Sequence, residues 1–385
     1  MIFGYQEQEL KALGAEYTAA EIYQQPEMWN RTYQVIQSRQ GEIEAFLQRH
    51  LTPATRVILT GAGTSAYTGD IARSHLAGIL PCRVESIPTT DIVASPELVL
   101  EPDTPTILVS FARSGNSPES VGAFDIMQQY TKHIVHLVIT CAAEGKLSYA
   151  AAENKENFVL LLPEETNDRG FAMTSSFSCM LLAALLFFDI KHINKSKKYI
   201  SSIATQGSEI LENGWQWVQQ LAELHPDRIV YLGAGCFSEL GKELSLKNME
   251  LTNGKIVSVK ESVLGFRHGP KTIVNDKTLI MLMGSSRPYT NLYVRDIAKE
   301  LFSDPGAHKL AVIDCVEDAQ LDTNSHYRTT VQGGELPEAY IALVYALYGQ
   351  MLGLFNSIAI GNTPDNPNPA GIVSRVVKGV TIHKP

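Results

Sequence analysis

An internal repeat limits the possible folds of this 385-residue chain more than any other feature. Shifted by 172 residues, RVILTGAGTSAYTG (56–69) aligns with RIVYLGAGCFSELG (228–241). The alignment continues with 84–87 on 256–259 and 106–109 on 278–281 without a gap, and with 136–141 on 309–315 if a small insertion is allowed. Both copies alternate short apolar runs with helical patterns, so the sequence predicts a tandem duplication of a doubly wound, mostly parallel α/β sheet domain.

Composition restricts the possible partners. The net charge is −9, the pI is near 5.6 and the basic residues form no run, so no nucleic-acid partner is expected. The N-terminus lacks a basic region followed by an apolar core, and the apolar stretch 180–190 is too short to span a bilayer, so we expect no membrane partner and a cytoplasmic protein. The five cysteines lie far apart and fit no metal-ligand spacing, which favours reduced core residues.

The segment 104–130 of the first copy predicts a phosphate-binding loop. Its apolar run 107–109 indicates a buried strand, and Ser117 followed by Pro118 indicates the start of a helix. The connection between them, ARSGNS (112–117), offers hydroxyl groups, backbone N–H groups and one arginine at a helix N-terminus, which suits an anion. An ordinary serine-rich turn between strand and helix is the alternative for this loop taken alone.

The two copies diverge at the loops where chemistry is expected. The first copy has Gly63-Thr64-Ser65, whereas the second has Gly-Cys-Phe (235–237) and Gly-Ser-Ser-Arg-Pro (284–288). Loops at the carboxyl ends of adjacent parallel strands converge on one crevice, so the phosphate site is predicted in the first copy. GAGTSAYTG is not the dinucleotide fingerprint, because its third glycine comes too late.

The second copy carries candidate acid–base residues. Glu243, Lys247 and Glu250 have helical spacing that places them on one face of a helix that starts at a strand's carboxyl end. A solvated, salt-bridged stripe is the alternative reading of this pattern. His268 lies in the Gly/Pro-containing segment 261–270 and belongs to no apolar face, so a catalytic or ligand role is expected.

Four motifs together resemble a known family. GAGTS (61–65), SFARSGNSPES (110–120), E-x-x-x-K-x-x-E (243–250) and R-H-G-P (267–270) resemble the sugar isomerase (SIS) domains, in particular the isomerase half of glucosamine-6-phosphate synthase. The nearest subgroup resembles the galactosamine-6-phosphate deaminase/isomerases, also described as tagatose-6-phosphate ketose/aldose isomerases. The resemblance extends over the chain from about residue 18.

The resemblance implies roles for individual residues. Glu250 transfers a proton between C1 and C2, His268 opens the sugar ring, and Lys378 contacts the open-chain oxygens. The residues implied in substrate binding, most of them at the phosphate, are Gly63, Thr64, Ser65, Arg113, Ser114, Asn116, Ser117 and Lys247. Two departures affect this set: Ala112 stands where the synthase has a phosphate-binding serine, and Arg113 stands where it has glutamine.

The resemblance also implies an activity. We expect deamination of D-galactosamine 6-phosphate to D-tagatose 6-phosphate and ammonia, because no glutaminase domain precedes the repeat. Ketose/aldose isomerisation without nitrogen loss and non-catalytic sensing of a sugar phosphate are the alternatives. The chemistry requires neither a metal nor an organic cofactor, and a homodimer or higher homo-oligomer with shared active sites is expected.

These expectations divide the chain into four segments. They are an N-terminal helical segment (1–50), a phosphate-binding domain (51–212), a second domain with the catalytic helix and the histidine loop (213–362), and a C-terminal tail that closes the site (363–385).

Overall fold

The computed structural model describes residues 1–375, 377 and 379–383, and within them ten strands form two parallel sheets. The first sheet has the order β2-β1-β3-β4-β5 and the second the order β10-β9-β8-β6-β7, which is the same topology. The strands of the first sheet are β1 Arg56–Thr60, β2 Arg83–Ser86, β3 Thr106–Ala112, β4 Ile134–Thr140 and β5 Phe158–Leu161. Those of the second sheet are β6 Arg228–Gly233, β7 Val257–Ser262, β8 Thr278–Met283, β9 Lys309–Asp314 and β10 Tyr327–Thr330. The predicted duplication of a doubly wound sheet is confirmed.

Helices flank both sheets and precede the first one. They are α1 Glu7–Ala12, α2 Glu16–Tyr23, α3 Gln25–Ser38, α4 Gln40–His50, α5 Thr64–Leu76, α6 Thr89–Ala94, α7 Pro118–Tyr130, α8 Lys146–Ala152, α9 Ser175–Phe188, α10 Ile193–Glu209, α11 Trp215–Ala222, α12 Cys236–Leu251, α13 Pro288–Ser303, α14 Ala319–Thr323 and α15 Glu338–Ala359.

Strand register confirms most of the repeat and corrects one part. Arg56 pairs with Thr106, and Arg228 pairs with Thr278, so the shift of 172 residues holds for the two central strands. It does not hold for β2 and β7, because Arg56 lies opposite Arg83 whereas Arg228 lies opposite Val257. The gapless match of 84–87 with 256–259 is therefore wrong by two residues. A shift of two keeps every side chain on the same face of the sheet, so the hydrophobic pattern could not reveal it.

The chain forms two compact units made of interleaved segments. The first-sheet unit contains 27–168, 173–201 and 370–385, and the second-sheet unit contains 1–26, 169–172 and 202–369. The division at 50, 212 and 362 follows the sequence repeat and stays a prediction. The described tail residues from 370 onward belong to the same unit as the first sheet.

Each sheet has central strands that are buried along their whole length. Every residue of β1, β3 and β8 is buried, as expected for parallel strands covered by helices on both faces.

Among the described residues, one unbroken helix, α15, is long and apolar enough to cross a membrane by length and composition, and 94% of its most apolar window is buried in the protein.

Candidate active site

The glycines of the first strand-to-helix turn are required by its geometry. A Cβ atom on Gly61 would lie 2.4 Å from the Cβ atom of Ser65, and Gly63 has a φ of +55°. The second copy repeats this turn, because a Cβ atom on Gly233 would lie 2.8 Å from the Cβ atom of Phe237 and Gly235 has a φ of +57°. The turn directs helix α5 away from β1 and brings Ser65 to the carboxyl end of the sheet.

A pocket of about 120 Å³ lies at the carboxyl ends of β1 and β3. These strands are neighbours, and in the order β2-β1-β3 the chain reverses its direction across the sheet between them, which is where such folds bind ligands. Its polar lining consists of Ser65, Arg113, Ser114, Ser117, Ser120 and Arg375. Four of the predicted binding residues are therefore brought together at the predicted place.

The start of helix α7 forms one wall of the pocket. Ser117 is the N-cap, as predicted: its Oγ atom accepts the backbone N–H of Ser120 at 3.3 Å and donates to the Ser120 hydroxyl at 2.6 Å. Pro118 occupies the first helical position. The positive end of the helix dipole and the cap hydroxyls thus face the pocket, an arrangement that favours an anion.

Two arginines border the pocket. Arg113 is only 7% exposed and donates from Nη2 to the carbonyl oxygen of Arg375 at 2.8 Å. The Arg375 guanidinium donates to the carbonyl oxygen of Asp168 at 3.0 Å and to Oδ1 of Asn167 at 3.2 Å. Sequence reasoning missed Arg375, although an arginine in a tail expected to close the site was a signal that could have found it.

Asp168 anchors the Arg375 side chain through its backbone carbonyl oxygen. Its buried carboxylate accepts backbone N–H groups from Thr174 at 2.8 Å, Ser175 at 3.1 Å and Ser176 at 2.9 Å at the start of helix α9. The carbonyl oxygen of the same residue is left to face the tail. The position of Arg375 is thus determined by the fully buried helix α9.

Three predicted binding residues shape the pocket without being part of its lining. Asn116 accepts the backbone N–H of Lys146 at 3.1 Å through its Oδ1 atom, which joins the loop to the start of helix α8. Thr64 is the first residue of α5 and only 3% exposed, and Gly63 supplies the left-handed turn before it. Ala112 lines the pocket as a methyl group, so no side-chain hydroxyl comes from this position.

The charged face of helix α12 is largely buried rather than solvated. Lys247 is fully buried; its Nζ atom is ion-paired with the Glu250 carboxylate and lies 3.6 Å from Oε1 of Glu243. Glu243 is also fully buried, whereas 24% of the Glu250 side chain is exposed. The structure therefore contradicts the reading of this face as a solvated stripe, and it shows Glu250 paired with Lys247.

Small residues of α15 allow this burial. A Cβ atom on Gly349 would lie 2.5 Å from the side chain of Leu244, and one on Gly353 would lie 3.0 Å from that of Leu251. Helix α12 consequently packs closely against α15 along the side that carries Leu244 and Leu251. A buried ammonium group requires anionic partners, which the two glutamates provide.

His268 lies on an exposed turn after β7, where its backbone N–H is bound by the Gly265 carbonyl oxygen at 2.9 Å. The turn is tied to helix α13 because Arg267 and Lys271 both donate to Glu300, each at 2.6 Å. Burial opposes ionisation of Glu300, but the bonds from Lys271 and Arg267 outweigh it and lower the pKa of this carboxyl group. Lys378 lies outside the described residues, and the roles of these side chains stay predictions.

The described part of the chain contains no group of three or more His, Cys, Asp or Glu side chains that could hold a metal ion. Four of the five cysteines are buried and all are unpaired, as expected for core residues. Burial raises the pKa of the Cys141 thiol to about 12, which makes it a poor nucleophile.

Residues 50–189 match the SIS domain family. The D-galactosamine-6-phosphate deaminase AgaS of Shewanella sp. (strain ANA-3) is 40% identical over 98% of this chain and 94% of its own length. A tagatose-6-phosphate ketose/aldose isomerase of Escherichia coli is 35% identical and superposes with a TM-score of 0.87 over 96% of each chain. A candidate enzyme of the same name from Clostridium novyi NT is 42% identical, with a TM-score of 0.97 over 100% of this chain and 99% of its own.

Proposed function

The chain belongs to the SIS domain family, and from this premise we propose that it is a D-galactosamine-6-phosphate deaminase that converts its substrate and water into D-tagatose 6-phosphate and ammonia. Its similarity to relatives that are named as deaminases or isomerases supports an enzyme of the sugar-phosphate isomerase kind. Two observations carry the finer proposal: the first-sheet unit has a pocket suited to phosphate, and the second-sheet unit has a carboxylate paired with a buried ammonium group.

The pocket between β1 and β3 is assigned to the 6-phosphate. Serine hydroxyls, the N-terminus of α7 and two guanidinium groups line it or point at it, and each is a donor to phosphate oxygens. Charge-assisted hydrogen bonds contribute roughly 1.5–3 kcal/mol each. The additional charge of Arg113 and Arg375 compensates for the hydroxyl that Ala112 does not supply.

Glu250 is assigned to proton transfer. In the open-chain substrate the hydrogen on C2 is acidic, because it is adjacent to the C1 aldehyde. The carboxylate takes this proton while O1 is protonated, which leaves an enediol-like enolamine. It then returns the proton to C1 while the amino nitrogen loses one proton, which replaces the proton taken up by O1, so that C1 becomes a hydroxymethyl group and C2 an imine. Water then adds to C2 and ammonia leaves, giving the ketose. Lys247 holds the Glu250 carboxylate in place throughout.

Ring opening is assigned to His268, and contact with the open-chain oxygens to Lys378, as the family resemblance implies. We further propose a homodimer in which His268 completes the active site of the neighbouring subunit. The exposed position of His268 makes its imidazole accessible to a second chain.

Ketose/aldose isomerisation is the second candidate, and it is favoured by the names of the two solved relatives. The proton transfer between C1 and C2 is the same in both reactions. Only the substituent on C2 differs: an amino group leads to an imine and to loss of ammonia, whereas a hydroxyl group leads directly to a ketose.

Incubation of the purified protein with a panel of hexosamine 6-phosphates tests the proposal. Release of ammonia together with tagatose 6-phosphate from galactosamine 6-phosphate is expected, and the Glu250→Gln variant serves as the matched control. Interconversion of tagatose 6-phosphate with its aldose isomer, without turnover of any amino sugar, would establish the second candidate instead. Tight binding of sugar phosphates with neither reaction would identify a sensor.

A further inference from the structure

The second sheet has a strand-to-helix loop in the place that the phosphate loop occupies in the first. It consists of residues 284–287, follows β8 and leads into α13, and β8 is the neighbour of β6 in the sheet. This loop is occupied by a carboxylate of the protein itself. Glu338 Oε1 accepts the Ser285 hydroxyl, the Ser286 backbone N–H at 3.1 Å and the Ser286 hydroxyl at 3.5 Å, and Oε2 lies 3.4 Å from Nε of Arg287.

The carboxylate also lies beside the other loop of this sheet. A Cβ atom on Gly235, the counterpart of Gly63, would lie 3.9 Å from Oε2 of Glu338. The carboxylate is therefore next to the glycine turn after β6 and bound by the loop after β8. The first sheet has its pocket between the two corresponding loops.

The burial of the Glu338 carboxylate shows that the protein forms a specific binding site for it. The Glu338 side chain is only 6% exposed, although it belongs to the first residue of a helix. A carboxylate is removed from water without a large penalty only where donors replace its hydration. The donors are two serine hydroxyls, a backbone N–H and a guanidinium, the same kinds of group that surround the pocket of the first sheet.

The corresponding connection of the first sheet has a different contact. In the connection that leads from β5 to α9, Asp168 turns its carboxylate to the start of its own helix and not into the phosphate loop. The pocket after β1 and β3 is open, whereas the loop after β8 holds the Glu338 carboxylate.

We propose that Glu338 is an internal ligand in a second phosphate-type site, and that its carboxylate replaces a phosphate group there. The loop after β8 retains the capacity to bind inorganic phosphate or a phosphate monoester. Glu338 blocks that capacity, so that one chain binds one sugar phosphate. This proposal does not depend on deaminase activity.

Calorimetric titration of the full-length protein with inorganic phosphate tests this proposal. The Arg113→Ala/Ser114→Ala variant, with the first pocket impaired, is expected to bind inorganic phosphate weakly or not at all. Adding Glu338→Ala to that variant is expected to create one site per chain, and adding Ser285→Ala and Ser286→Ala is expected to remove it again. A folded protein with Glu338→Ala that gains no phosphate site would overturn the proposal.

A second measurement applies if the loss of Glu338 unfolds the protein. Phosphate would then be expected to restore the fold, seen as recovery of circular dichroism and a cooperative melting transition, whereas chloride at equal ionic strength would not. Failure of phosphate to restore it would equally overturn the proposal. Neither readout involves turnover, so an absence of ammonia release leaves both tests intact.

Discussion

Replacing Arg375 by alanine tests the pocket residue that sequence reasoning missed. Its guanidinium borders the pocket and is held there by the Asp168 carbonyl oxygen and the Asn167 side chain. A sugar 6-phosphate is largely a dianion at neutral pH. Loss of one charge-assisted hydrogen bond to it costs about 1.5–3 kcal/mol, which corresponds to roughly 10- to 150-fold weaker binding.

The assay follows from where this contact acts. The phosphate does not react, so the contact is equally strong in the ground state and in the transition state, and KM should rise while kcat changes little. The inhibition constant of inorganic phosphate should rise by the same factor as KM. Arg375→Lys is expected to recover part of the loss, because lysine keeps the charge but not the planar pair of donors. Arg83→Ala is a matched control, since Arg83 is an exposed arginine of the same unit that pairs with Glu101.

Two results would refute the reasoning. If the inhibition constant of inorganic phosphate were unchanged in Arg375→Ala, the guanidinium would not contact phosphate. If KM rose and kcat fell together while phosphate inhibition stayed normal, Arg375 would act only by anchoring the tail to Asp168.

Three further predictions concern catalysis, stability and assembly. Glu250→Gln should leave the substrate dissociation constant nearly unchanged and lower kcat by at least about 100-fold, with loss of C2-proton exchange into deuterated water; a variant that still exchanges this proton contradicts the assignment. Burial lowers the pKa of His136, stacked on Phe124, to about 3, so unfolding takes up a proton below about pH 6.5 and stability should fall on acidification. Between pH 7 and 5 the wild type should lose about 2 kcal/mol of unfolding free energy more than His136→Gln, measured by urea titration at both pH values, and equal losses would show that His136 is not buried neutral. Co-refolded Glu250→Gln and His268→Ala chains should regain about a quarter of wild-type activity if each site uses both subunits, whereas inactive mixed dimers exclude that arrangement.

The fold was largely predictable because it depends on local patterns that occur twice. Alternation of apolar runs with helical patterns indicated parallel strands, and the shift of 172 residues placed the central strands in their correct register. The offset between β2 and β7 was not predictable, because a shift of two residues leaves the alternation of side chains unchanged. Strand neighbours had to be observed before this part of the repeat could be aligned.

The site was predictable only where its residues are close in sequence. The loop 112–117 carries its own evidence, because a cap residue, a proline and several hydroxyls stand side by side. The bond from Arg113 to the Arg375 carbonyl joins residues 262 positions apart. It depends on the path of a tail without periodic structure, and neither propensity nor hydrophobic spacing contains that path.

Burial decided between the two interpretations of the stripe on α12. The spacing of Glu243, Lys247 and Glu250 is the same whether the helix face is exposed or covered, so the sequence of this helix could not distinguish them. The distinction lies about 100 residues further on, in Gly349 and Gly353, whose missing side chains let α15 approach within contact of Leu244 and Leu251. A lysine that is fully buried between two carboxylates has lost its hydration, and its charge then acts at short range in a medium of low polarity. Such a buried ion pair costs stability unless every partner is present. Because it lies on a helix that begins at the carboxyl end of a parallel sheet, where ligands bind, we infer that these charged residues serve catalysis rather than stability.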